Sequence, residues 1–568
     1  MTSERIHPPL RMPEPLFAEL ATGGCSPEAM AFLERGERGR RLLLLRTLLA
    51  RIDTVPTPLS PPAEAWRILK TAGDRAPEPV ERLLLAPQTG SWLAHMLRRL
   101  HGTALGPPLW AEAGHLCALA VAAALHARTE ADLLVPLTDG ALNLPGLGLV
   151  RPPDARRGST TGRARTRRGE LTLTWQGESG EHLSLVCTPG TIPVRGTGES
   201  QGTAAHWVPL RTLTHNGSSG TVAIPLDDLD PYRDLDDPIA PARLDADEAM
   251  AWQGLFDEAA GILAARGGDG PGRLDPAWIR AVVPWGRTST MPPAPATVRL
   301  SASSGDSFGA MVIARPAAGL ALAETLVHEF QHSKLGALLH LFPLLDDDRE
   351  ERYYAPWRAD PRHLTGLLHG AYAFTAVAGF WRDRAADAGH GGAAAYHFAL
   401  RRMQTRLVVR TLLASGRLTA PGRRLVTGLA RTLDGWLRER VDPDALVRAR
   451  TAAALHRTEW RLRNVVGSLE EVVRGEGGPL LRADRSSWPD VRTHAFAARP
   501  AAPRTADEHL AAGNPADALA GYADALARDP GDPHTLAGWI VARAALDPGR
   551  TARRMLARPE LLQPLRSG

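Results

Sequence analysis

Leu326-Val327-His328-Glu329-Phe330-Gln331-His332 places two histidines four residues apart, with a glutamate between them, inside an apolar and helix-forming stretch. Residues four apart on an α-helix stand one turn above each other, close enough for their side chains to converge on one ion. The run from Gly319 to Leu341 has no interior proline and is rich in Ala and Leu, which predicts a helix over these residues. Its apolar side chains, Leu322, Leu326, Val327, Phe330, Leu335, Leu338 and Leu339, fall on nearly every face, so the helix is expected to be buried. Buried polar groups left unbonded cost roughly 1–3 kcal/mol each. A metal held by His328 and His332, with Glu329 beside it, would satisfy all three. The short pattern also arises by chance in a chain of 568 residues, so its surroundings must decide.

The length suits two to four domains, and 44% hydrophobic with 23% charged residues is ordinary for a soluble globular protein. A net charge of +5 rests almost wholly on arginine, with lysine only at Lys70 and Lys334, and does not argue for nucleic acid as a partner. The local basic run Arg151 to Arg168 reads as a flexible solvated loop, or else as a docking surface for an acidic peptide. Cys25, Cys117 and Cys187 are widely spaced, which suits a reducing cytosol and argues against a compact iron–sulfur motif. Met1 to Arg11 lacks the apolar core of a signal peptide, and the apolar run Leu116 to Leu125 is too short to span a bilayer. A cytoplasmic protein without a membrane segment is expected.

The fold class expected is α+β and mainly helical. Residues 1–150 read as a helical N-terminal region, with segments Pro27–Ile52, Pro77–Leu100 and Ala111–His126. Residues 151–240 read as β-rich beyond the basic loop, because Glu170–Trp175, His182–Cys187 and Gly220–Ile224 alternate apolar and polar residues. Residues 241–473 form the expected metal-binding catalytic domain. It opens with a helix from Asp245 to Arg266 and continues through strand-like Ile279–Trp285, Thr297–Ser301 and Gly309–Ala314 into the metal helix. A strand just ahead of such a helix is what a zincin-like core requires, since an exposed edge holds an extended peptide by backbone pairing. Residues 474–504, with four prolines, read as a linker. Residues 505–568 have the rhythm of a tetratricopeptide-like helical hairpin, in which Gly513, Ala518, Tyr522, Ala525 and Pro530 take the small, aromatic and terminating positions.

A third metal ligand must come from elsewhere. The metzincin pattern fails, since Leu335 and Leu338 occupy its glycine and histidine positions, and no gluzincin E-x-x-x-D stands in the expected surroundings. His369, in Leu368-His369-Gly370-Ala371-Tyr372, is the remaining candidate, with Gly370 expected to let two helices approach closely. His340 reads as a core histidine and His363 as a surface one.

The three blocks Leu326–Lys334, Tyr354-Ala355-Pro356-Trp357-Arg358-Ala359-Asp360-Pro361-Arg362 and Leu368–Tyr372, in this order, resemble the actinobacterial H-E-x-x-H peptide-modification family. The resemblance is strong over Pro284 to Arg384 and loose elsewhere. It implies a 2-oxoglutarate-dependent peptide β-hydroxylase that uses iron(II) and O2 to modify a ribosomally made precursor peptide, at Asp by preference. His328, His332 and His369 would then hold the iron, and Glu329 would lie on the oxygen side of the catalytic centre. Arg358 or Arg362 would clamp a carboxylate of the cosubstrate, since guanidinium binds carboxylate bidentately. Tyr354 and Tyr372 would hydrogen-bond cosubstrate or peptide, unless they only pack. Two rivals stand beside this reading. One is a zinc metallopeptidase with Glu329 as general base. The other is a non-catalytic peptide-binding scaffold.

Overall fold

Prolines open most of the N-terminal helices, where a fixed φ is pre-set for the first turn and the missing amide has no partner to lose. In the computed structural model, which describes residues 11–194, 206–218, 220–235, 237–285, 300–385, 391–466, 481–482 and 491–562, seven helices come first. They are α1 (Glu14–Ala21), α2 (Pro27–Ile52), α3 (Pro62–Arg75), α4 (Pro77–Leu85), α5 (Pro87–Leu100), α6 (Leu109–Ala113) and α7 (His115–Ala127). The helix expected from Pro77 to Leu100 is split, because Pro87 forces Ala86 into an extended conformation with ψ 135°. Ala111–His126 is likewise broken, at Gly114. The stretch Leu109–Ala127 is long and apolar enough to cross a membrane, yet 78% of it is buried inside the protein, as in a core helix.

The N-terminal region is not helical to its end. β1 (Ala131–Thr138), β2 (Leu142–Leu144) and β3 (Gly148–Val150) follow α7, and then β4 (Ser159–Arg167), β5 (Glu170–Gln176) and β6 (His182–Cys187). β4 corrects the expectation of a flexible basic loop. It lies between β1 and β5 in an antiparallel sheet of order β1-β4-β5-β6. Gly162, Ala164 and Thr166 face the core while Arg163, Arg165 and Arg167 face outward. Arg163 and Arg165 both donate to Asp132 on β1, at 2.6 and 3.1 Å. The period of two was present in the sequence but was obscured by small inward residues that carry little hydrophobic signal.

β7 (Ile192–Pro193), β8 (Trp207–Pro209), β9 (Arg211–Gly217) and β10 (Gly220–Leu226) lead to α8 (Ala246–Ala264), and β11 (Ala281–Pro284), β12 (Ser301–Ala302) and β13 (Ala310–Ile313) come next. Asp245 caps α8, accepting from the Glu248 amide at 2.8 Å. Of the expected strand Thr297–Ser301, residues 297–299 lie outside the described residues. The second sheet runs β12-β13-β11-β10-β9-β7, with β12 antiparallel to β13 at one edge. α9 (Gly319–Leu341) spans the predicted residues and packs between α8 and α10 (Leu364–Arg384). α11 (Gly391–Ala414), α12 (Ala420–Leu437) and α13 (Pro443–Asn464) follow. Leu322, Leu326, Val327, Phe330 and Leu338 of α9 join Trp252, Phe256, Met311 and Leu368 in one core. Each large apolar side chain removed from water there contributes about 1.5–3 kcal/mol.

The C-terminal part comprises α14 (Val491–Ala495), α15 (Ala506–Ala511), α16 (Pro515–Arg528), α17 (Pro533–Leu546) and α18 (Arg550–Ala557). Residues 474–480 and 483–490 of the expected linker lie outside the described residues, but 491–504 is not a linker. Phe496 is buried, and Arg448 donates to the Phe496 and Ala497 carbonyls at 2.7 Å each. The Tyr396 hydroxyl donates to the Thr493 carbonyl at 2.5 Å. Arg492 reaches Asp507 at 3.1 Å, Glu459 at 3.2 Å and the His534 carbonyl at 2.6 Å. The prolines that suggested a linker say nothing of these buried ties. α17 packs on α13, so the terminal hairpin of α16 and α17 buries its face on the preceding helices.

His534 sits within this network, 3.1 Å from Asp507 and 3.3 Å from Glu459. Burial alone would lower its pKa, but the two carboxylates outweigh burial and raise it from 6.5 to about 9. A raised folded-state pKa adds stability that is complete below the unfolded value and is lost as pH rises through the folded one. Docking of the hairpin is therefore expected to weaken as pH rises from 7 through about 9, read as faster proteolysis after Arg504. Asp507→Asn is expected to flatten that dependence.

Candidate metal centre

α9 presents His328 and His332 on one face, one turn apart, at the floor of a cavity of about 640 Å³. Their Nε2 atoms lie 3.1 Å from each other. Two nitrogens bound to one ion at about 2.1 Å each are separated by roughly 3.0–3.4 Å, so the pair has the bite of a metal site. The donor atoms of His328, Glu329 and His332 all fall within 4.8 Å of one another.

His369, on α10, is brought to the same place but by the other edge of the ring. Its Nδ1 is 3.3 Å from Nδ1 of His332. The Cε1 edge of His332 therefore points between His328 and His369. A half-turn of that ring about Cβ–Cγ exchanges Cε1 with Nε2 and aims a donor into the gap. In the arrangement seen, a neutral His332 has one proton to share between two imidazole neighbours, a chain that one tautomer satisfies.

Desolvation keeps all three imidazoles neutral. Burial pushes His328 down to about 4, with His332 adding to it, and pushes His332 to about 3, with His369 adding. Burial likewise takes His369 to about 4. Each ring thus retains the lone pair that a metal needs. The donor chemistry and the spacing fit a divalent transition metal.

Glu329 is buried and held from across the cavity. Its carboxylate accepts from Ser301 Oγ at 2.7 Å and Ser303 Oγ at 2.8 Å. Ser301 lies on β12 and Ser303 two residues on, so strand periodicity puts both hydroxyls on the side that faces α9. Neither serine was singled out from the sequence, although their alternation just ahead of the metal helix was a usable signal.

The opposite wall is aromatic. Trp357 stacks on Phe374 with centroids 4.4 Å apart, and Phe374 and His328 meet in a T-shaped contact with centroids 4.9 Å apart. Gly370 makes this possible, because a Cβ there would lie 2.2 Å from Trp357 Cζ2. The expected role of Gly370 is corrected accordingly: it admits an indole ring, not a second helix.

The cationic residues divide. Arg358 and Arg362 line the cavity at its rim, where both bind Asp360, at 2.8 and 3.4 Å, with side chains 50% and 27% exposed. Arg401, on α11, lines the cavity from a buried position. It was missed in the sequence because nothing local distinguishes it from the other arginines of α11. His494 of α14 also lines the cavity, held in place by the Arg492 network beside it. Tyr354 is not among the cavity-lining residues; its hydroxyl bonds His456 Nδ1 at 2.8 Å and its ring packs edge-on against Trp460. Tyr354, expected beside the cosubstrate, instead sits outside the cavity lining, because α13 offers that ring both an apolar neighbour and a hydrogen-bond partner. Tyr372 is a core residue, donating to the Leu20 carbonyl at 3.0 Å. His340 pairs with Glu37 at 2.7 Å. His363 lines the cavity, with Nδ1 2.6 Å from Asp347.

No protein family model matches the chain, and no curated protein is significantly similar to it.

Proposed function

We propose that this protein is an iron(II)- and 2-oxoglutarate-dependent peptide β-hydroxylase, acting on an Asp residue of a ribosomally made precursor peptide. The support is the resemblance of its three sequence blocks together with one structural observation: both oxygens of Glu329 accept serine hydroxyls. Both carboxylate oxygens are thereby occupied, and the side chain is held in one place. That suits a residue that shapes the oxygen side of the site better than one that must take a proton from water.

His328, His332 and His369 would hold the ion, and imidazole donors suit iron as well as zinc. When bound, iron(II) with 2-oxoglutarate and O2 supplies the oxidising power for inserting one oxygen into a C–H bond. The chain's own part is positional. The imidazoles stay neutral, Ser301 and Ser303 fix Glu329, and the Trp357–Phe374 stack makes one wall apolar. A zincin-like core is supported by β12, a short edge strand beside the metal helix whose residues line the cavity. A tetratricopeptide-like reading of the terminal helices is supported by Tyr522, which packs on Gly538 and donates to Asp507.

The close grouping of His328, Glu329 and His332 favours the second reading, a zinc metallopeptidase. Glu329→Gln separates the two. Loss of a general base lowers turnover by about 10²–10⁴-fold. The hydroxylase reading expects succinate release to fall by no more than about tenfold, since no proton abstraction by Glu329 is required. Peptide cleavage by the wild type without succinate release, lost several hundredfold in Glu329→Gln, would favour the peptidase.

A further inference from the structure

We infer that Arg401 is the residue that receives the distal carboxylate of the 2-oxo acid cosubstrate, an assignment that rests on the function proposed above. Arg401 is 6% exposed and lines the same cavity as His328 and His332. Its guanidinium carbon lies 4.8 Å from the centroid of Phe374, and the same ring meets His328 at 4.9 Å. The guanidinium carbon is therefore no farther from the centre of the metal-helix imidazole than these two distances combined. That is the kind of separation a five-carbon dicarboxylate bridges when its keto-acid end is at a metal and its far end at a cation.

The guanidinium is also pre-set. Arg401 Nη1 donates to Gln404 Oε1 at 3.0 Å, and Gln404 Nε2 donates to the Pro356 carbonyl at 3.0 Å, which ties α11 to the segment carrying Trp357. A guanidinium held in this way loses less freedom on binding a carboxylate, and a buried charge-assisted pair is stronger than a solvated one. Arg358 and Arg362 are more exposed, so a carboxylate bound there stays in contact with water.

The test is calorimetric titration of the full-length, metal-loaded protein under anaerobic conditions with 2-oxoglutarate, and separately with 2-oxobutanoate, which lacks the distal carboxylate. A hydrogen-bonded charge contributes about 1.5–3 kcal/mol, so Arg401→Ala is expected to raise Kd for 2-oxoglutarate by about 10–150-fold. Metal stoichiometry should stay unchanged, and Arg401→Lys should recover part of the loss. Arg401→Ala should bind the two oxo acids with equal affinity, a result that a general loss of structure does not produce. Arg358→Ala and Arg362→Ala are expected to shift Kd by less than about threefold. Unchanged 2-oxoglutarate affinity in Arg401→Ala, or a loss that follows Arg358 or Arg362, overturns the assignment and leaves the proposed function standing. If the wild-type metal-loaded protein does not bind 2-oxoglutarate at all, the proposed function itself fails, and the assignment with it.

Discussion

His332→Ala is expected to abolish stoichiometric metal binding, with the protein still folded. His332 is the middle ring of the three, 3.1 Å from a His328 nitrogen and 3.3 Å from a His369 nitrogen, so its removal leaves the other two without a common neighbour. Loss of an outer hydrogen-bonding partner typically weakens a metal site about 10–100-fold. Loss of a direct donor, the role proposed for His332, should exceed that, leaving less than about a tenth of an equivalent of metal after dialysis. His328→Ala should behave alike, while His340→Ala, whose ring pairs with Glu37, should bind metal as the wild type does. Metal content by elemental analysis, beside a melting curve for each variant, checks all three. The pH dependence has a definite sign. Protonation removes the lone pair, and burial has lowered these imidazoles to about 3–4, so metal should be retained from pH 8 down to about 5. Ordinary histidines would begin to release it near pH 6.5.

Gly370→Val is expected to do the second largest damage, through the opposite wall. A Cβ at this position would lie 2.2 Å from Cζ2 and 2.8 Å from Nε1 of Trp357, so the indole must move. Moving it breaks the stack on Phe374, and Phe374 is the ring that touches His328. Overpacking of this kind costs about 1–3 kcal/mol. A lowered melting temperature should therefore accompany a larger proportional loss of cosubstrate affinity, because the displaced ring lines the cavity. Titration of metal and of 2-oxoglutarate against this variant would show metal retained and cosubstrate weakened. Loss of neither would mean that Trp357 has room the geometry does not provide.

The metal helix was legible because every local signal agreed. Ala and Leu favour helix, no proline interrupts, and the apolar residues ring the axis, so Gly319 and Leu341 could be read as its ends. The strand β4 was not legible, since Gly162, Ala164 and Thr166 face the core with little hydrophobic signal while arginines fill the outward positions. His369, the proposed third ligand, was named by elimination, as the histidine left after two ligand patterns had failed. The clamp was not. Arg358 sits in a distinctive sequence block and Arg401 does not, yet Arg401 is the buried cation, because burial is decided by how α11 packs on α10. His494 was equally hidden, since it reaches the cavity only through α14, which Arg492 ties to Glu459 and Asp507. Local pattern names the residue types of a site; which way each one faces is settled by contacts far away in sequence.

The most direct measurement is anaerobic reconstitution of the full chain with iron(II), followed by 2-oxoglutarate, O2 and a candidate precursor peptide encoded nearby, scored together for succinate and peptide mass. The account predicts one succinate released for each oxygen atom gained by the peptide, with no peptide bond broken and no product when 2-oxoglutarate or iron is left out. Cleavage of the peptide with zinc alone, or oxygen gain that does not depend on 2-oxoglutarate, would contradict it.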